Sequence, residues 1–268
     1  MIPNAARARY DARMTVRYEA LPATAAYADV FKVPPPQEPG ARHIKPRGTG
    51  FMLRAVPAPV PSHTPQPGPD GAAADAAQPA EAPAGPPGGQ PRELIAAQWG
   101  LVPHWVKSAS DGRLRAPKLV NAYTDTVSTG TAFRDAWLNG QRCIVPMQSF
   151  YEDDWRSGKA VPTRIARVDG APMGVAGVWA RWEGPDGEVL LSYALITVSA
   201  QAHGLLNRYG PPGADRRMPV ILGEGAHAAW LSTPVAKAKE FLRPYPAQSL
   251  TANPVEHKAD KVPKGWLG

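Results

Sequence analysis

Residues 141–155 read QRCIVPMQSFYEDDW. An apolar run from Cys143 to Met147 leads into Phe150 and Tyr151, and then into Glu152, Asp153 and Asp154. β-branched and aromatic residues in so short a run, closed by acids, predict a strand buried along most of its length. The acids are not equivalent. A solvated turn accounts for Asp153 and Asp154, whereas Glu152 directly follows two rings. A carboxylate set against rings loses hydration, which raises its pKa toward the range that suits proton transfer. Glu152 therefore has two readings, a plain turn residue or an acid/base at the floor of a cleft.

Similar runs surround this one. ELIAAQWGLVPHW (93–105), PTRIARV (162–168), MGVAGVWARW (173–182), VLLSYALITV (189–198) and MPVIL (218–222) are short, β-branched or aromatic, and bounded by turn residues. Asp169-Gly170 and Asp186-Gly187 each separate two runs, which is a hairpin signal. Helical patterning is confined to 19–31, 131–139, 200–209, 224–231 and 234–242. The expectation is an α+β fold: a β-rich single domain with a curled, barrel-like mixed sheet and flanking short helices. No internal repeat is visible.

Residues 57–92 break the pattern, being built almost wholly of Pro, Ala, Gly and small polar residues. Such a segment buries too little apolar surface to offset the entropy of ordering it, so it reads as a flexible insertion. The expected organisation is an extension over 1–14 and one domain over 15–268, interrupted at 57–92. Hydrophobic residues make up 43% of the 268, enough for a real core. The single cysteine excludes an internal disulfide framework and any multi-cysteine metal site. No window resembles a membrane span, and the basic N-terminus lacks the apolar stretch of a signal peptide. A reducing cytoplasm follows as the expected setting, with no membrane partner. No ligand-spaced cluster implies a metal, and no glycine-rich phosphate loop implies a nucleotide cofactor. The formal charge of +7 favours polyanionic partners such as nucleic acid.

Eight strings then fall in one order: MTVRYEA (14–20), WGLVPHW (99–105), NAYTDT (121–126), AFRDAW (132–137), RCIVPMQSFYE (142–152), AGVWARW (176–182), LITVSA (195–200) and RRMPVIL (216–222). Together they resemble the SOS response-associated peptidase (SRAP) family, the abasic-site processing proteins. The resemblance covers 14–56 loosely and 93 to about 256 well. It implies a β-rich domain that grips single-stranded DNA at an abasic site, as a monomer associated with the nucleoid. In such proteins an N-terminal cysteine captures the sugar aldehyde, with an asparagine, a glutamate and a histidine around it. The chemistry is sound, because an α-amine titrates near 7.7 to 8 and a usable fraction is neutral at neutral pH. A thiolate then closes the ring better than an alcohol does.

Carried over residue by residue, the resemblance puts Thr15 where the cysteine stands, in Met14-Thr15-Val16-Arg17. The reactive amine then exists only after processing or with translation starting at Met14. The histidine falls on Gly210, or on Asp215 in a shorter-loop alignment, and neither position holds one. His203 lies seven residues before Gly210, where a surface or capping role fits better. Cys143 reads as a small buried hydrophobe. Asn121 matches the family asparagine, its other reading being a turn residue, and Glu152 matches the glutamate that shuttles protons. Among DNA contacts, Arg17 and Arg217 match phosphate-gripping arginines and Met218 follows as expected. Trp99 and Pro103 belong to the string that shapes the DNA-facing surface, although Trp99 reads equally as a core residue. Tyr123 replaces an arginine and keeps a ring that can stack on a base. Three functions follow: capture of the aldehyde at Thr15, noncatalytic binding of single-stranded DNA or a protein, or self-cleavage of an N-terminal leader.

Overall fold

The sheet closes on itself around one long strand. In this computed structural model, which describes residues 17–56 and 91–255, the strands are β1 (Arg17–Ala20), β2 (His43–Ile44), β3 (Thr49–Ala55), β4 (Arg92–Trp99), β5 (Asn121–Tyr123), β6 (Arg142–Asp154), β7 (Val161–Arg167), β8 (Met173–Glu183), β9 (Val189–Ser199), β10 (Arg217–Pro219), β11 (Ile221–Leu222) and β12 (Leu250–Pro254). The helices are α1 (Ala26–Phe31), α2 (Ala109–Arg115), α3 (Arg134–Leu138), α4 (His227–Ser232) and α5 (Val235–Ala238). β3 pairs antiparallel with β4, β4 parallel with β9, β9 antiparallel with β8, and β8 antiparallel with β6. Leu53 opposite Ile144 joins β6 back to β3. These five strands form the barrel, and closure leaves no open edge among them.

β6 reaches beyond the barrel. Its first half, Arg142 to Met147, pairs with β8; its second half, Phe150 to Asp154, pairs with β7. β1 lies along its other edge from Met147 to Tyr151, with β2 outside β1 and β12 outside β7. The result is a wing in the order β2-β1-β6-β7-β12.

Strand alternation divides the apolar side chains of β6 between two packing clusters. Cys143 and Val145 join Tyr18, Met52, Trp99 and Tyr193, while Ile144 joins Phe31, Trp137 and Trp230 of the covering helices. The Tyr18 and Tyr193 hydroxyls bond to each other above Gly50, whose lack of a side chain makes room for both. His227 on α4 is buried and stacks on Phe31 with ring centroids 5.2 Å apart. Burial, then the nearby Arg92, pushes its pKa down to about 4.

Several expected elements differ. The expected helix over 19–31 is strand to Ala20 and helix only from Ala26. The helix over 200–209 shrinks to a 3-10 turn at Leu206–Arg208, and the strand over 93–105 stops at Trp99. The helix starting at 224 opens as a 3-10 turn, Glu224–Ala226, before α4. Asp186-Gly187 does close a hairpin between β8 and β9. Asp169-Gly170 does not, because β7 pairs with β6 and β12. α2 carried no sequence signal strong enough to be expected; its exposed Leu114 and mid-helix Gly112 break the apolar periodicity.

Candidate functional site

Glu152 sits near the outer end of β6, opposite Thr163 of β7, and is only 5% exposed. Alternation turns it to the side of Phe150 and away from Tyr151. Arg17 opens β1 opposite Tyr151, with its guanidinium 4.1 Å from the ring centroid. The chain therefore enters β1 at the Glu152 end of the wing. Thr15 lies outside the described residues. One residue past Glu152, the carbonyl of Asp153 accepts the Gly210 N–H at 2.8 Å, and Tyr209 bridges Asp154. Gly210, one of the two positions where the resemblance puts a histidine, thus lies against the strand that carries Glu152. Its φ of +98° suits glycine and strains any other residue.

The loop that starts at Gly210 leads to the second group. Arg216 ties it together by donating Nη1–H to the carbonyls of Pro211 at 2.7 Å and Ala214 at 3.0 Å. Arg217 follows on β10, opposite Ser199 of β9. On the other edge of β9, β5 sets Asn121 opposite Leu195 and Tyr123 opposite Thr197. Arg217 binds β9 and β5 together. Its Nη1 donates to Asp125 Oδ2 at 2.9 Å and its Nη2 to the Thr197 carbonyl at 2.9 Å. The guanidinium lies 4.3 Å from the Tyr123 ring centroid. The hydrogen bond from Arg217 holds the Asp125 carboxyl below its usual pKa.

The residues matched to DNA contacts differ in how much surface this geometry leaves them. Arg217 is 7% exposed and engaged on several sides, so it positions β5 and leaves little surface for a phosphate. Trp99 and Met218 are fully buried, which matches the core reading of Trp99. Trp99 donates Nε1–H to the Val120 carbonyl at 3.0 Å, fixing the residue before Asn121. Pro103 is buried as well, under the wall of a small cavity shared with Trp105 and Asp135. His203 is buried and caps the turn at Leu206: its Nδ1 accepts the Leu206 N–H at 2.9 Å and its Nε2 bonds the Tyr245 carbonyl at 2.7 Å. Cys143 is fully buried, and burial pushes its thiol pKa far up, so it supplies no nucleophile. Thr124, Asp125 and Thr197, which hold Arg217, escaped sequence reasoning. The NAYTDT string contains Thr124 and Asp125, and LITVSA contains Thr197, but neither string marks them as partners of Arg217. Among the described residues no group of His, Cys, Asp and Glu is placed to hold a metal ion, and no helix is long and apolar enough to cross a membrane.

Fold and site define a barrel protein whose polar groups hang on one strand end, one connecting loop and one short parallel strand, steadied by two arginine–tyrosine stacks. The chain belongs to the SOS response associated peptidase (SRAP) family, which it matches over residues 14–262. It is similar to the abasic site processing protein YoqW of Bacillus subtilis, 31% identical over 159 residues, covering 58% of this chain and 66% of that protein. It is also similar to the abasic site processing protein HMCES of Gallus gallus, 28% identical over 194 residues, covering 64% of this chain and 55% of that one. Each of these matches thus spans less than two thirds of the relative's length. A crystal structure of a Bordetella bronchiseptica protein superposes with a TM-score of 0.73 at 32% identity, covering 90% of this chain and all of that one. A phage-related protein from the same species shares the fold at 20% identity, with a TM-score of 0.57.

Proposed function

We propose that this protein processes abasic sites in single-stranded DNA and captures the sugar aldehyde through an amine at Thr15. The observation that carries the reading is Glu152, a carboxylate 5% exposed at the strand end where the chain enters β1. Its similarity to proteins named for abasic-site processing supports the substrate. Once the Thr15 amine is free, its nitrogen attacks the aldehyde carbon, and water leaves to give an imine. Glu152 donates the proton that the departing hydroxyl needs and takes one from the amine, while Asn121 orients the sugar. Addition of the Thr15 hydroxyl to the imine carbon closes an oxazolidine, which water opens more readily than a thiazolidine. From the open imine, loss of a C2′ proton expels the 3′-phosphate and cuts the strand. The protein acts in the cytoplasm beside the nucleoid, in the response to DNA damage, as a monomer.

A second reading, binding without capture, draws support from Gly210. Of the two positions to which the resemblance assigns a histidine, Gly210 beside the Glu152 strand has no side chain and Asp215 carries an acid. Incubation with single-stranded DNA bearing one abasic site separates the two readings on a denaturing gel, with intact mass showing whether residues before Thr15 are lost. The expected result is an adduct trapped by borohydride together with strand cleavage. Glu152→Gln should slow capture about a hundredfold or more. A borohydride-trapped adduct whose linkage peptide mapping places away from the residue 15 amine would show that Thr15 is not the capturing residue. Tight binding without adduct or cleavage establishes the second reading.

A further inference from the structure

Glu19 belongs to no reading made so far. It lies in β1 opposite Ser149 of β6 and His43 of β2, and it is 7% exposed. Its Oε1 accepts from Arg42, Nε at 3.0 Å and Nη2 at 2.9 Å. Its Oε2 accepts from Ser149 Oγ at 2.8 Å and Arg164 Nε at 3.0 Å. Burial alone would raise its pKa, but the hydrogen bonds from Ser149, Arg164 and Arg42 together outweigh that and hold it below the ordinary value. A carboxylate ionised in this way is a fixed anchor for two guanidinium groups.

Pairing register sets Arg17, Glu19, His43, Ser149, Tyr151 and Arg164 on one side of the wing. Arg17 stacks on Tyr151, and His43 meets the same ring edge-on at 5.8 Å. Burial lowers the His43 pKa, and the charges of Arg17, Arg42 and Lys45 add to this against the opposing pull of Glu19. Arg42 and Arg164 thus bond one ionised carboxylate, Arg17 shares its side of β1, and Lys45 follows β2 as an exposed residue. The Arg42 side chain is 79% exposed and that of Arg164 32%. Asp153, one alternation further along β6, bounds the patch on that side.

We infer that this outer face of the wing binds the phosphate backbone of the single strand flanking the abasic nucleotide, with Arg42, Lys45 and Arg164 as its phosphate contacts. The inference rests on the abasic-site reading above, because Arg17 joins the face to the strand end that carries Glu152. Charge complementarity selects the occupant. Guanidinium forks match phosphate oxygens in pairs, and arginines already held by Glu19 lose less freedom on binding. Tyr151 is covered by Arg17 and His43, so the face offers charge and no open ring for stacking.

Fluorescence anisotropy of the full chain with a labelled, undamaged oligothymidylate, across a KCl series, tests this. Removing phosphate contacts flattens the fall of log K with log salt by about 0.7 per contact on a single strand. The double variant Arg42→Ala/Lys45→Ala should therefore be shallower by about 1.4, and Arg42→Lys should keep the slope of the parent chain. An unchanged slope in the double variant overturns the inference, as does a parent chain that fails to bind the strand. Adduct on abasic DNA with an unchanged slope removes this inference alone. A flattened slope without any adduct or cleavage keeps the phosphate face and removes the proposed chemistry instead.

Discussion

The two halves of β6 share one strand and have opposite characters. From Arg142 to Met147 both faces are covered, one by the packing around Trp99 and Tyr193 and the other by Trp137 and Trp230 on the helices. That half reads as a continuous apolar run, and even Arg142 is buried with its Nε donating to the Trp230 carbonyl at 2.8 Å. From Ser149 to Asp154 the strand stays buried as far as Glu152, but only one face is lined by apolar packing. The other carries hydroxyl, ring and acid, and binds its partners through Glu19, Arg17 and the Gly210 loop. The groups proposed for function lie in this second half, where ion pairs and hydrogen bonds such as those of Glu19 compensate the burial of charge.

The sharpest way to break this comparison is Trp99→Ala. If Trp99 belongs to the covered half, the substitution should cost about 3 to 5 kcal/mol in urea unfolding. Weakened DNA binding with stability intact would return Trp99 to the surface. Next comes acid. His227 has a pKa of about 4 in the folded chain against an ordinary 6.5, so between those values the unfolded chain binds more protons. Stability should therefore fall as pH drops from 6.5 to 4, by roughly 2 to 4 kcal/mol. His227→Leu should remove that slope in denaturant melts at several pH values. A slope that survives the substitution would assign it to another group. The smallest effect belongs to the second half: Gly210→Ala, at a φ of +98°, should cost about 1 to 2 kcal/mol. A neutral or stabilising result would mean that the loop beside Glu152 relaxes freely.

Legibility followed the same division. Long strands with two covered faces were plain in sequence, as with β8 and β9, since burial on both sides demands apolar runs. β1, β2, β5 and β12 were not, because a strand of two to five residues carries too little periodicity and is specified by its neighbours. β3 was missed for another reason: its last residues run directly into the proline-rich segment, which masked its end. At the site, Asn121 and Glu152 were readable from short strings, and the burial expected of Glu152 is present. Arg217 was readable as a residue, but nothing local reveals that Thr197 and Asp125 hold it. Glu19 was mistaken for helix, its partners lying 23, 130 and 145 residues away in the chain.

Sequence alone determined the β-rich class, the family and the two polar residues set in its motifs, because apolar runs and short strings are local properties of the chain. Only the tertiary structure decided which residues touch water. It buried Trp99 and Met218, spent Arg217 on its neighbours, and drew Glu19, Arg42 and Arg164 into one cluster. The reason is physical: exposure and charge pairing depend on which strands lie side by side, and barrel closure sets that through contacts far apart in sequence.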